Sequence, residues 1–144
     1  MPPTPRKRER ELTRGRVRAL QALYAWDARH DQELAAVAAR VWDDLAVEPE
    51  VRQRASAIIN ELASASEEID RQLTDVTTNW RLERLGAVER CLLRLGAAEL
   101  RIGETPPRVV LQESVRLAER FGSEHAAKFV NGVLDTLARR MGKL

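Results

Sequence analysis

Between its glycines and prolines this chain places apolar residues at spacings of three and four, a pattern that admits helices and very little else. Three of the six prolines lie in residues 1–5, while Pro49, Pro106 and Pro107 punctuate the remainder, and the seven glycines are all isolated. Val17, Leu20 and Tyr24 form one stripe of a first predicted helix, and Leu34, Val37, Val41 and Leu45 that of a second. Pro49 suits the first turn of a third. From Val51 through Ala55, Ile58, Leu62, Ala65, Ile69 and Leu73 to Val76 no Gly or Pro intervenes, which predicts one long helix or two nearly continuous ones. Asn79 is placed to cap the next helix. Its apolar residues occupy two faces, Leu85, Val88, Leu92 and Leu95 on one and Leu82, Leu93 and Leu100 on the other, as expected of a helix at the centre of a bundle. Gly103 stops it. Val110, Ser114, Leu117, Ala118 and Phe121 make the stripe of the following helix; Gly122 ends it and Ser123 caps the last, whose buried face is Ala126, Val130, Val133, Leu134, Leu137 and Met141. Only Val109–Leu111 has strand character, and it lies within a helical period. The expectation is all-α: six or seven helices in one compact bundle over residues 13–144, preceded by a flexible basic arm at 1–12.

Composition excludes several classes. At 144 residues, 44% apolar and 32% charged, the chain has an ordinary globular balance. No stretch approaches the ~18 uncharged apolar residues of a membrane helix, and no apolar run follows the basic N-terminus as in a secretory signal. Cys91, the single cysteine, allows neither a disulfide framework nor a multi-cysteine zinc site, which fits a reducing cytoplasm.

The charge is segregated. Met1–Arg18 carries Arg6, Lys7, Arg8, Arg10, Arg14, Arg16 and Arg18 against Glu9 and Glu11, a net +5, whereas residues 19–144 sum to −3. A basic segment on a mildly acidic body is the footprint of a polyanion binder, and equally of a solubilising tail. With Thr13 as helix cap, Arg14 and Arg16 would stand at the positive end of the helix dipole, and Gly15 would cost about 1 kcal/mol against alanine. A bound phosphate reverses that penalty, because helix N–H groups and arginines then converge on one anion. Single-stranded nucleic acid fits better than duplex, since no recognition-helix arrangement is evident. Tyr24 and Phe129 are available for base stacking, though core packing is the commoner fate of both.

Catalytic chemistry is not indicated. His30 and His125 lie far apart with no second ligand at helical spacing, and no glycine-rich phosphate loop exists, so no metal, cofactor or catalytic residue is expected. Asp43-Asp44 and Glu67-Glu68 read as solvated surface. Glu89 and Glu99 differ: each lies on an apolar face of the central helix with no basic residue three or four positions away. An internal partner is expected for Glu99. Glu89, beside a gap at Gly96, is a candidate to face a protein partner.

Several ordered blocks carry a family resemblance from about Arg14 to Ala138: Ala19-Leu20-Gln21-Ala22-Leu23-Tyr24-Ala25-Trp26 after an arginine-rich start; Asn79-Trp80-Arg81-Leu82-Glu83-Arg84-Leu85 leading into Val88-Glu89-Arg90 and Leu93-Arg94-Leu95-Gly96; Pro106-Pro107-Arg108-Val109; Phe121-Gly122; and Lys128-Phe129-Val130-Asn131-Gly132-Val133-Leu134-Asp135. This set resembles the NusB family of bacterial transcription antitermination factors. The resemblance implies an all-α fold of two small three-helix bundles and no catalytic activity. It implies pairing with the ribosomal protein called NusE in transcription, binding to single-stranded boxA RNA, chiefly of ribosomal RNA leaders, and a place in the RNA polymerase antitermination complex. Carried over, it assigns RNA contact to Arg10, Arg14, Arg16, Arg18 and Lys128, and partner contact to Tyr24 and Glu89. A homodimer through the RNA surface occurs in some members. Here the arginine block is stretched by Glu9, Glu11, Thr13 and Gly15, and His125 stands where relatives often carry an acid. An imidazole does not repel phosphate, and it attracts phosphate once protonated, ordinarily below pH ~6.5. Two other classes stay open: a protein-protein scaffold that does not bind RNA, and an accessory domain to an RNA methyltransferase, although these 144 residues hold no αβ catalytic portion.

Overall fold

The computed structural model describes residues 1–29, 31–77 and 81–144. Proline begins three of its helices, where its missing N–H costs nothing. α1 is Pro5–Asp27, α2 Leu34–Asp44, α3 Pro49–Val76, α4 Ala87–Ile102, α5 Pro107–Phe121 and α6 Glu124–Arg140, with a short 3-10 turn at Leu82–Arg84 before α4. Among the described residues there is no strand. Contacts divide the chain into two compact units, residues 1–63 and 64–144. α3 contributes to both, and its backbone leaves helical geometry at Ala65 (φ −131°, ψ 24°), so the long uninterrupted pattern is two nearly continuous helices. The predicted Asn79 cap and His30 lie outside the described residues.

In the first unit α1 buries Arg16, Ala19, Leu20 and Leu23, together with Gly15 and Ala22. α2 packs against it through Leu34, Val37, Ala38 and Trp42, and the Trp42 Nε1–H donates to the Arg18 carbonyl at 3.0 Å. Tyr24 and Leu45, expected on the buried stripes, are exposed. Gly15 lies mid-helix where α1 crosses α3: a Cβ there would stand 2.7 Å from the Arg54 Cβ and 3.3 Å from the Ala55 backbone nitrogen. Helix propensity favours alanine over glycine by about 1 kcal/mol, but overpacking against a neighbouring backbone costs typically 1–3 kcal/mol. We therefore expect Gly15→Ala to lower stability by about 1 kcal/mol in a thermal melt; a rise in midpoint would refute the close-crossing explanation.

The second unit is built around α4. Every residue from Cys91 to Leu100 is buried, which bears out the two-faced pattern, and α5 and α6 pack on it and on each other. The gap expected at Gly96 is filled: a Cβ there would overlap the Leu134 Cδ1, so the glycine admits a core leucine of α6 rather than an outside backbone. Gly103 ends α4 in the left-handed region (φ 77°), and the Ser123 hydroxyl caps α6 by accepting from the Ala126 N–H at 3.0 Å. Two buried charges cross this core. Arg94 of α4 makes a bidentate pair with Asp70 of α3, Nε to Oδ1 at 3.0 Å and Nη2 to Oδ2 at 3.1 Å. Glu99, 7% exposed, also has an interaction partner.

Candidate nucleic-acid and protein interfaces

The N-terminal basic segment is not an arm with a helix beginning at Thr13. α1 starts at Pro5, and Thr4 is its cap, with its hydroxyl accepting from the Lys7 N–H at 3.2 Å. Arg14 and Arg16 are thus in the second half of the third turn and beyond, not at the positive end of the dipole, and the anion site inferred for a Thr13 start does not form. Helical continuation creates something else. Arg6, Arg10, Arg14 and Arg18 recur every four residues, so they form one gently inclined row with a step of about 6 Å along the helix. Arg6, Arg10 and Arg14 are exposed, whereas Arg18 is half-buried and donates to the Gln21 Oε1 at 3.0 Å. Like charges at this spacing repel by a few tenths of a kcal/mol per pair. A polyanion lying along the helix turns that repulsion into attraction.

Arg16 departs from its expected role. It points into the first unit's core, is 4% exposed, and already has an interaction partner. Its position between Gly15 and Val17, on the same face as Ala19, Leu20 and Leu23, makes it part of the packing rather than a surface contact. Tyr24, at the other end of α1, is 54% exposed and leaves its ring available.

In the second unit His125 and Lys128 are exposed on the first turns of α6, with Phe129 half-buried beside them. Phe121, expected in the core, is instead 40% exposed at the end of α5, and the Arg120 guanidinium lies 4.8 Å from its ring centroid. Neither residue was expected on a binding surface. The only available signal was position, since a residue immediately before Gly122 ends the helix and need not follow its stripe. Arg139, Arg140 and Lys143 serve the second unit's own structure: Arg139 pairs with Asp135, Arg140 donates to the Asp75 carbonyl and Lys143 to the Leu100 carbonyl.

Glu89 lies at the third position of α4, half-buried, with a carboxylate oxygen over the Gly86 Cα. The Arg90 guanidinium donates back to the carbonyls of Leu85 at 2.7 Å and Leu82 at 3.2 Å, which ties the 3-10 turn to the start of α4. Among the described residues no cluster of three or more His, Cys, Asp or Glu could hold a metal ion, and no helix is long and apolar enough to cross a membrane.

The NusB family model matches residues 13–139. The chain belongs to the NusB family. It is 41% identical over 131 residues to the transcription antitermination protein NusB of Sorangium cellulosum (strain So ce56), covering 90% of this chain and 93% of that protein. It is 40% identical over 127 residues to the protein of the same description from Anaeromyxobacter dehalogenans (strain 2CP-1 / ATCC BAA-258), covering 88% and 89%. Its fold matches a chain in the crystal structure of antitermination factors NusB and NusE in complex with dsRNA, with a TM-score of 0.83, 30% identity and coverage of 91% of this chain and 98% of that one. T. maritima NusB matches with a TM-score of 0.82 and 29% identity over 89% of this chain and 90% of that one. The all-α expectation and the family resemblance are thereby established.

Proposed function

We propose that this NusB-family chain acts as a transcription antitermination factor, pairing with ribosomal protein NusE and binding boxA RNA so that RNA polymerase is loaded into a terminator-resistant complex. The observation that carries the reading is the exposed arginine row of α1, on a chain whose relatives are antitermination proteins. Arg10 and Arg14 contact phosphates, and Arg18 reaches the same strand once it gives up Gln21. Lys128 and His125 add contacts from the second unit. Arg16 acts indirectly, by fixing α1 in its unit. Tyr24 and Glu89 contact the protein partner. Binding holds and positions RNA without a chemical step.

The test is fluorescence anisotropy of a labelled boxA-type single strand, with scrambled and duplex RNAs beside it, titrated with the chain alone and with NusE. Sequence-dependent binding that tightens with NusE is the expected result. A folded chain that binds no RNA in either setting would leave a protein-only scaffold. With about four phosphates engaged on a single strand, the log–log salt slope should be roughly −3.

His125 is exposed on α6, next to Glu124 and three residues before Lys128. A carboxylate at this position would repel a phosphate held by Lys128. His125→Asp should therefore weaken RNA binding in the same anisotropy titration; unchanged affinity would remove this position from the RNA interface.

A further inference from the structure

The start of α4 is more elaborate than a helix N-terminus requires. Gly86 occupies the N-cap position with φ −59° and ψ 149°, an extended conformation open to any residue, so glycine is not there for backbone freedom. As a cap it is also poorer than Ser, Asp or Asn. The available reason is space. Built on Gly86, a Cβ would overlap the Glu89 Oε2 and stand 3.2 Å from its Cδ and 3.7 Å from its Oε1. Glu89 is the third residue of the helix, from which a glutamate side chain folds back toward the N-cap and the positive end of the dipole. The turn beneath it is also held, because Arg90, the next residue, donates to the carbonyls of Leu82 and Leu85. The segment that carries Gly86 is therefore fastened to the same helix as Glu89.

We infer that Gly86 and Arg90 are positioning residues that preset the Glu89 carboxylate for a cationic or N–H donor of the protein partner. The inference rests on the antitermination reading, in which Glu89 meets NusE. A carboxylate has about four lone-pair directions, so one folded over its own helix start retains capacity for an incoming donor. Holding a flexible glutamate in one arrangement beforehand removes part of the ordering cost that association otherwise carries. Gly86→Ala forces the end of the flexible Glu89 side chain to shift out of this arrangement, while the extended backbone tolerates the methyl group.

The test is a double-mutant cycle on the full chain, by calorimetric titration with purified NusE. The variants are Gly86→Ala, Glu89→Gln and the two combined, each checked for folding by circular dichroism. Glu89→Gln should weaken binding about tenfold and Gly86→Ala about fivefold, and Gly86→Ala should add nothing once Glu89 is replaced. RNA affinity of the chain alone should stay unchanged in all three. Equal losses from Gly86→Ala in both backgrounds would mean a merely structural role and overturn the inference, as would unchanged or tighter binding. If Glu89→Gln has no effect while NusE still binds, the inference falls and the antitermination reading stands. If the unsubstituted chain fails to bind NusE, both fall. Arg90→Lys, taken through the same cycle against Glu89→Gln, decides the matter should Gly86→Ala not fold.

Discussion

Asp70→Ala should lower the stability of the chain by about 3 kcal/mol, more than Arg94→Met. The asymmetry follows from burial. The Arg94 side chain is 7% exposed and that of Asp70 35%, so losing the pair costs the two partners differently. Without Asp70, a guanidinium remains in the middle of the buried run of α4 with two charge-assisted hydrogen bonds missing. Without Arg94, the carboxylate is already partly solvated and rehydrates. Arg94→Met, which keeps the aliphatic stem and removes the charge, should therefore cost only about 1 kcal/mol. In a chain of this size 1 kcal/mol corresponds to roughly 2–4 °C, so the two melts should differ by several degrees. Equal midpoints would show that the pair is as solvated on one side as on the other.

The largest functional effect should come from reversing Arg10 and Arg14 together. Both are exposed, one helical turn apart, on the row that also contains Arg6 and Arg18. Each neutralised phosphate contact on a single strand contributes about 0.7 to the salt slope, and reversal replaces attraction by repulsion. Arg10→Glu with Arg14→Glu is expected to reduce RNA affinity about a hundredfold near physiological salt and to flatten the slope by about 1.5. NusE binding without RNA should survive. The same reversal at Arg16 would differ in kind: a buried glutamate in place of a buried arginine should unfold the first unit, so lost RNA binding would come with lost helicity. A double reversal that leaves the salt slope untouched would remove α1 from the RNA interface.

Helix boundaries were legible wherever one residue's own chemistry sets them. Pro49 opens α3, Gly103 closes α4 in the left-handed region and Ser123 caps α6, each as its residue type dictates. The central place of α4 was legible too, because apolar residues on two faces leave no side for water. The start of α1 was legible as well, because Pro5 and Thr4 signal a helix start as strongly as Thr13 does. Once the helix is continuous, an arginine block that looks diluted by Glu9, Glu11, Thr13 and Gly15 becomes a regular row.

The local pattern of residues, then, determined the helices, their order and the family. Each rests on spacing, capping or short ordered blocks, which act within a few residues. Tertiary structure decided which members of a uniform-looking set point where. Arg16 is buried and Arg14 exposed although they are two positions apart, because the first unit covers the face of α1 that Arg16 shares with Ala19, Leu20 and Leu23. Gly96 admits Leu134 of α6, a contact between elements far apart in the chain. Side-chain type supplies the charge or the ring, whereas its availability to a ligand depends on what the packed neighbours leave uncovered.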